Sequence, residues 1–89
     1  MIGVGVIGYG YWGPNLVRNF SEADGSRVVA ISDLNPDRLN RATRRYSDVS
    51  TTLDAEALIT SPDVDAVVIA TPVSTHFELG MRALAAGKG

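Results

Sequence analysis

The fold of this chain is decided by one stretch near its start, residues 2–13, which reads IGVGVIGYGYWG. Its first half is rich in β-branched residues, as in a strand buried on both faces, although two glycines interrupt the apolar run. In its second half Gly8 allows a tight turn, Gly10 lets a pyrophosphate approach the backbone, and Gly13 lets a helix pack close to the strand. The stretch therefore predicts a strand, a phosphate-binding loop and a helix whose free N–H groups point at the phosphates.

A second apolar run, residues 28–32, ends at Asp33, twenty residues beyond Gly13. A carboxylate at this place accepts hydrogen bonds from the adenosine ribose hydroxyls and repels a 2′-phosphate, which predicts NAD as cofactor and makes NADP less favoured. Arg38 keeps NADP open, because a nearby arginine can accommodate that phosphate. Asp33 could instead cap the turn before Asn35 and Pro36, but its distance from the glycines favours the ribose role.

Composition and charge limit the classes of function. Hydrophobic residues make up 45% of the chain, which excludes a disordered tail. No apolar run approaches the roughly 20 residues of a membrane span, and no basic leader is present, so we expect a cytoplasmic protein with no membrane partner. The net charge of −2 gives no electrostatic reason to expect nucleic acid. With no cysteine and a single histidine, the sequence predicts no metal site and no thiol nucleophile.

Strand and helix signals alternate along the remaining residues. The predicted fold class is α/β, half of a Rossmann domain with the pattern βαβαβα and flanking helices. Its sheet has three parallel strands in the order 3-2-1, over residues 2–7, 28–32 and 65–70. Helices are predicted to follow the glycine stretch and end before Asp24, to cover 36–46 with Asn35 as N-cap, and to cover 52–59 with Thr52 as N-cap. A last helix runs from a Thr75–Glu78 capping box to Gly87.

The position of the first strand predicts self-association. In the order 3-2-1 this apolar strand lies at the edge of the sheet, where its backbone donors and acceptors are unpaired. One sheet face would also be covered by the last helix alone. A second copy of the chain could cover both through a two-fold axis, so a homodimer is predicted.

Three segments resemble a known family. They are Val4–Gly10, the strand that ends at Asp33, and Asp65–Pro72 followed by His76. They are similar to the N-terminal half of the glucose–fructose oxidoreductase/inositol dehydrogenase family (Gfo/Idh/MocA), over essentially the whole chain. The run 8–20 looks most like members that act on nucleotide sugars at the 3-position. The resemblance implies a nicotinamide-binding Rossmann domain followed by a larger sugar- or polyol-binding domain, and hydride transfer between a substrate carbinol and the nicotinamide.

The resemblance also implies roles for particular residues. It places pyrophosphate contacts at Tyr11 and Trp12, and further cofactor contacts around Thr71, Pro72 and His76. Large residues at a helix start often pack locally, so the orientation of the two aromatic side chains stays open. His76 could face the cofactor or hydrogen-bond a neighbouring loop.

One departure from the family concerns catalysis. In such proteins the last helix is followed by Gly-Lys-His and a strand ending in Glu-Lys-Pro, whose lysine is usually catalytic, whereas this sequence ends at Gly87-Lys88-Gly89. Residues 1–89 are therefore predicted to be the first half of a dinucleotide-binding domain, without its second half or a substrate domain. We expect weak nucleotide binding and no catalytic residue.

Other functions have weaker support in the sequence. A hydrolase triad of His76, Ser74 and a nearby aspartate lacks the Gly-x-Ser-x-Gly turn that presents a nucleophile. The glycine spacing disfavours a methyltransferase. A non-catalytic nucleotide-binding or structural βαβ module is the remaining alternative.

Overall fold

The computed structural model describes residues 1–10, 12–71 and 73–89, with the backbone alone described over 73–76. Strands and helices alternate along the chain. In order they are β1 (Ile2–Ile7), α1 (Gly13–Glu22), β2 (Ser26–Ser32), α2 (Pro36–Arg45), β3 (Ser50–Thr52), α3 (Ala55–Thr60), β4 (Ala66–Ile69) and α4 (Val73–Ala85).

The sheet confirms the α/β class and the parallel pairing, but it corrects the strand number and order. It has four strands in the order β3-β2-β1-β4, and every pairing is parallel. The predicted third strand is β4, and it lies beside β1 rather than β2. The place beside β2 belongs to β3, whose sequence Ser-Thr-Thr carries no apolar signal because it forms a short edge strand.

The helices cover both faces of the sheet. On one face α1 and α2 pack on β1 and β2, and the buried residues of this cluster are Val4, Val6, Tyr9, Val17, Val28, Ile31, Leu39 and Ala42. On the other face α3 and α4 pack against the sheet through a second cluster, whose buried members are Ile7, Ala30, Leu58, Ile59 and Val64 and whose half-buried members include Leu79. Burial of both faces is what the apolar character of β1 and β4 requires.

This architecture removes both arguments on which the predicted homodimer rests. β1 has a strand on each side, so it is a central strand and not an edge. The face opposite α1 and α2 is covered by α3 as well as α4. The edges of the sheet are β3 and β4.

The predicted end of α1 and N-cap of α2 are confirmed, whereas the predicted starts of α3 and α4 are wrong. α1 ends before Asp24, and the side chain of Asn35 caps α2 by accepting from the Asp37 N–H at 2.9 Å. α3 begins later than predicted, because Asp54 and not Thr52 is its N-cap. α4 begins at Val73, which puts Thr75 inside the first turn instead of at the predicted cap.

The end of α4 has the geometry expected of a glycine stop. Gly87 has a φ of +76°, in the left-handed region that favours glycine. Its N–H donates to the Leu84 carbonyl at 3.0 Å, and the Lys88 N–H donates to the Ala83 carbonyl at 2.9 Å. This pair of bonds is a Schellman motif, and it turns the chain back toward the sheet.

At the amino ends of β1 and β4 the chain forms a closed cluster, which we call the amino-end junction (Gly3, residues 61–65, Lys88 and Gly89). The Gly3 N–H donates to Asp65 Oδ2 at 2.8 Å, and the Asp65 N–H donates to the Gly3 carbonyl at 2.7 Å. Lys88 Nζ donates to the carbonyls of Ser61 at 2.8 Å and Val64 at 2.6 Å. The lysine thus ties the end of α4 to the loop between α3 and β4.

Gly89 completes this junction through its backbone. Its N–H donates to the Asp65 carbonyl at 3.0 Å, and its carbonyl accepts from the Val67 N–H at 2.9 Å. Gly89 therefore lies along the outer edge of β4, on the side away from β1.

Among the described residues, no helix has both the length and the apolar content that a membrane span requires.

Candidate nucleotide-binding site

The candidate site lies where the carboxyl ends of β1, β2 and β4 meet. Ile7 pairs with Ser32 of β2 on one side and with Ile69 of β4 on the other. The strand order therefore reverses at β1, since β2 and β4 lie on opposite sides of it. In open α/β sheets, ligands bind outside the carboxyl ends at such a reversal point.

The glycine loop (residues 8–13) connects β1 to α1 and depends on Gly8 for its course. Gly8 has a φ of +100°, and its N–H donates to the Ser32 carbonyl at 2.7 Å. A Cβ at this position would lie 3.0 Å from Thr71 Cγ2 and 3.1 Å from the backbone of Ala70. The loop is thus wedged between β2 and the segment after β4.

Gly13 fixes the distance between α1 and the strand before it. A Cβ on Gly13 would collide with the carbonyl oxygen of Gly8, and that contact is with backbone that cannot move aside. The side chain of Trp12 makes no capping hydrogen bond to the helix that starts here. Its side chain is 61% exposed, so it does not pack into the core.

Gly10 is covered by a side chain and not by backbone. A Cβ here would lie 2.9 Å from Nη1 of Arg38, the flexible end of a side chain on α2. The same nitrogen lies 3.7 Å from Asp33 Oδ2. The Arg38 side chain is 43% exposed, so the guanidinium rests on the loop at the border of the solvent.

Asp33 holds the glycine loop against the end of β2. Its Oδ2 accepts from the Tyr9 N–H at 2.8 Å, and its Oδ1 accepts from the Asn35 N–H at 2.8 Å. Its side chain is 6% exposed. A buried carboxylate bound to two backbone donors keeps its position, because leaving either donor unpaired costs free energy.

A groove of about 770 Å³ opens over these residues. Leu34 and Leu53, which follow Asp33 and β3, lie on its rim and are 89% and 52% exposed. The other lining residues include Ile7, Ser32, Ala55, Ile69, Ala70 and Leu79. A groove of this size with mostly apolar walls and a few polar groups is typical of a cofactor site.

The side chains of Ser32 and Tyr9 lie near the loop, and both residues are buried. Ser32 Oγ is buried and has no hydrogen-bond partner among the residues that the structure describes. Burial raises the pKa of the Tyr9 phenol, and the neighbouring Tyr46 raises it further, while Arg45 and Arg41 partly oppose the change. Tyr9 therefore serves the core under the loop as a neutral side chain.

The structure brings together most of the residues that the sequence singled out. Gly8, Gly10, Trp12, Asp33 and Thr71 line one groove, and Gly13 supports it from below. The predicted contacts of Tyr11 and Pro72 lie outside the described residues. So does the side chain of His76, whose backbone belongs to α4.

Sequence reasoning missed three features of this groove. They are the contact of Arg38 with Gly10, the pair Leu34 and Leu53, and the buried hydroxyl of Ser32. Only the first has a signal in the sequence, which is an arginine five residues after Asp33. In the part of the chain that is described, no group of acidic residues and histidine is arranged to hold a metal ion.

Comparison with known proteins adds independent information. A family model for an oxidoreductase family with an NAD-binding Rossmann fold, GFO_IDH_MocA, matches residues 2–89. An inositol 2-dehydrogenase of Gluconacetobacter diazotrophicus is 39% identical over 89 residues, covering 98% of this chain and 26% of that protein. A glycosyl hydrolase family 109 protein of Shewanella amazonensis is 34% identical, covering 96% of this chain and 21% of that protein.

A solved structure agrees with the fold described above. It is scyllo-inositol dehydrogenase from Lactobacillus casei with bound NAD(H) and scyllo-inositol, with a TM-score of 0.92 and 26% sequence identity. The match covers 99% of this chain and 26% of that one. The chain thus spans about a quarter of the length of these relatives. The similarity to enzymes of nucleotide sugars stays a prediction. On the matching residues and the fold together, the chain belongs to the Gfo/Idh/MocA oxidoreductase family and forms part of its NAD-binding Rossmann domain.

Proposed function

We propose that residues 1–89 bind the adenosine diphosphate half of NAD at the carboxyl ends of β1 and β2. The observation that carries this proposal is the Asp33 carboxylate, which is buried, fixed by the Tyr9 and Asn35 amides, and next to the glycine loop. The fixed Asp33 carboxylate and the glycine loop therefore lie side by side in one groove, which is the arrangement that dinucleotide binding needs.

The glycine loop is suited to the pyrophosphate. In the first turn of α1 Pro14 has no N–H and the Leu16 N–H donates to the Trp12 carbonyl, so Gly13 and Asn15 supply the backbone donors for a phosphate. Gly10 has no Cβ to hold a phosphate away from the backbone. Helix N-termini next to such a loop favour anions through both hydrogen bonds and the helix dipole.

Asp33 is suited to the adenosine ribose. Each carboxylate oxygen accepts one backbone N–H, and a carboxylate offers roughly four acceptor positions, so capacity remains for ribose hydroxyls. A negative charge here opposes a 2′-phosphate, which supports NAD over NADP. The proposal also keeps contacts of Tyr11, Trp12, Thr71, Pro72 and His76 with the cofactor, on the family resemblance alone.

The reaction belongs to a longer protein in this proposal. We infer that such a protein transfers a hydride between nicotinamide and a carbinol of a sugar or polyol, with residues 1–89 forming the first half of its dinucleotide-binding domain. Support comes from the relatives, which include dehydrogenases of inositol, a polyol. The proposal includes a cytoplasmic location. We expect no hydride transfer from residues 1–89 by themselves.

NMR titration of the chain with NAD and with ADP tests the binding step. We expect both ligands to bind with similar dissociation constants near 1 mM, about −4 kcal/mol, because only the shared half of NAD meets protein groups here. The largest shifts should fall on the amides of 8–13 and on Asp33. Shifts confined to other residues would refute the site.

Two variants sharpen this test. Asp33→Asn should weaken ADP binding about tenfold, since hydrogen bonds to a charged group contribute about 1.5–3 kcal/mol. Asp48→Asn removes the same charge from an exposed residue outside the groove and should leave the ADP affinity unchanged. Equal effects of the two substitutions would show that charge alone matters. A structural module without nucleotide affinity would show no saturable shifts with any of these proteins.

A homodimer remains part of the proposal, but on a different surface. β4 is an edge strand whose outer side is bonded to Gly89 at Val67, so only the remainder of this edge is open to a second copy. Phe77, Met81 and Leu84 form an apolar row on α4 with exposures of 80%, 53% and 68%. Pairing along this edge would place these rows close to a second copy. Light scattering should give twice the 9.4 kDa chain mass at high concentration, and Phe77→Glu should restore the monomer.

A further inference from the structure

We propose that Arg38 is a specificity-determining residue of the nucleotide site. Its side chain makes the site bind phosphorylated nucleotides more tightly than nucleosides. This inference rests on the proposed function. In the structure the Arg38 guanidinium lies on the bare Cα of Gly10 and beside the Asp33 carboxylate. It therefore covers the same two groups that a pyrophosphate and a ribose would use.

The contact between Arg38 and Asp33 disfavours an uncharged ligand. A nucleoside offers ribose hydroxyls to Asp33 but no charge to Arg38. A ribose hydroxyl that binds Asp33 Oδ2 takes the place of the guanidinium nitrogen 3.7 Å away, and the arginine then loses an ion-pair partner without gaining another. Binding of a nucleoside is therefore weakened by the strength of this pair.

A ligand that carries phosphates offers Arg38 a new ion-pair partner. The guanidinium leaves Gly10 when the pyrophosphate enters, but it stays within reach of the loop because its stem is anchored on the first turn of α2. There its ion-pair partner changes from the Asp33 carboxylate to a phosphate of the ligand, and arginine pairs well with both groups. Displacement then costs little, so the same side chain that disfavours nucleosides attracts nucleotides.

The position of the side chain makes this exchange possible. Arg38 is 43% exposed, and its pair with Asp33 is long, so the contact can break and form again without disturbing the core. Pairs of this kind contribute about 0–1 kcal/mol, which sets the size of the effect at no more than about fivefold for each ligand.

The test compares adenosine with ADP on Arg38→Met, which keeps an unbranched apolar stem and removes the charge. We expect adenosine to bind about threefold tighter and ADP about threefold weaker than to the unsubstituted chain, measured by NMR titration. The ratio of the two dissociation constants should then fall about tenfold. The matched control is Arg41→Met, which removes the same charge from the same helix outside the groove and should change neither ligand by as much.

Two results would overturn the inference. One is adenosine affinity that is unchanged or lower in Arg38→Met, which would mean that the guanidinium does not compete with ribose. The other is an ADP affinity that falls equally in Arg38→Met and Arg41→Met, which would reduce the effect to net charge. If ADP still shifts residues 8–13 in either case, the proposed function stands and only the role of Arg38 fails. Absence of those shifts in the unsubstituted chain overturns both.

Discussion

The two ends of the sheet use the same chemical groups for opposite results. At the carboxyl end Asp33 accepts from the amides of Tyr9 and Asn35, and at the amino end Asp65 accepts from the amide of Gly3. The carboxyl end remains open as a groove. The amino-end junction is closed, because Lys88 fills it and bonds to two backbone carbonyls.

The two ends of the sheet separate binding from stability within one small domain. An aspartate that accepts backbone N–H groups joins neighbouring strands at either end. A side chain that can be displaced, Arg38, covers the carboxyl end, whereas a side chain bonded at 2.6 and 2.8 Å closes the amino end. Substitutions at the junction should therefore lower stability alone, and those on the groove should affect binding.

The largest expected effect is at Gly13, which does not line the groove but sets the position of α1 beside it. Gly13→Ala should lower the free energy of unfolding by about 3 kcal/mol, because the new methyl group meets the Gly8 carbonyl. Urea unfolding measures it. The control is Gly80→Ala in α4, where no atom lies within 4 Å of the added Cβ and a gain of about 0.5–1 kcal/mol is expected. Equal changes in the free energy of unfolding in the two variants would contradict the close approach of α1 to the Gly8 carbonyl.

The next effect belongs to the amino-end junction. Lys88→Met keeps the side-chain stem but leaves the carbonyls of Ser61 and Val64 without their donor. We expect the free energy of unfolding to fall by about 2 kcal/mol in urea. The ADP affinity of the folded protein should not change, since the junction lies at the other end of the sheet. A loss of ADP affinity would show that the two ends are coupled.

A smaller effect on stability is expected at Gly10, which is covered by the Arg38 side chain. In Gly10→Ala the new methyl group meets only the end of the Arg38 side chain, which can move aside. The free energy of unfolding should stay within about 0.5 kcal/mol of the original. ADP binding should weaken about tenfold in NMR titration, because the methyl group holds the phosphates away from the backbone. A destabilisation as large as that of Gly13→Ala would refute the flexible cover.

The smallest effect depends on pH and concerns the core below the loop. Burial raises the pKa of Tyr9 above its ordinary value of 10.0, so the fold favours the neutral phenol. The resulting stability is complete below pH 10 and is lost as the pH rises through the raised pKa. Tyr9→Phe cannot ionise and should lose less stability between pH 10 and 11 in urea unfolding. Parallel curves for the two proteins would rule out a buried phenol.

The sequence predicted the glycine loop and Asp33 because each needs a particular residue at a particular spacing. Gly8 and Gly13 are required by a positive φ and by a backbone contact, so their identities carry the geometry. The same is true of Asn35, whose side chain caps α2 as predicted. These features are local, and local features leave a mark on a short run of residues.

The strand order could not be predicted in the same way, because it depends on contacts between distant residues. Ser50–Thr52 forms β3 without any apolar residue, since an edge strand needs only backbone partners. Gly3 and Gly5 interrupt the apolar run of the first strand. In the structure a Cβ on Gly5 would lie 2.7 Å from Leu58, and one on Gly3 would collide with the Asp63 carbonyl, so both glycines admit close packing.

Because β1 lies between β2 and β4, it has only one of its two partner strands while the chain is still being synthesised. β1 forms hydrogen bonds with the region of β4 across a separation of 62 residues. A ribosome that adds about 5–20 residues per second needs roughly 3–12 s to make that interval. During this time β1 can pair with β2 alone, and its other side exposes an apolar strand to the nascent-chain environment. Chaperone demand for this domain should therefore be highest just before β4 emerges, and should end as soon as it does.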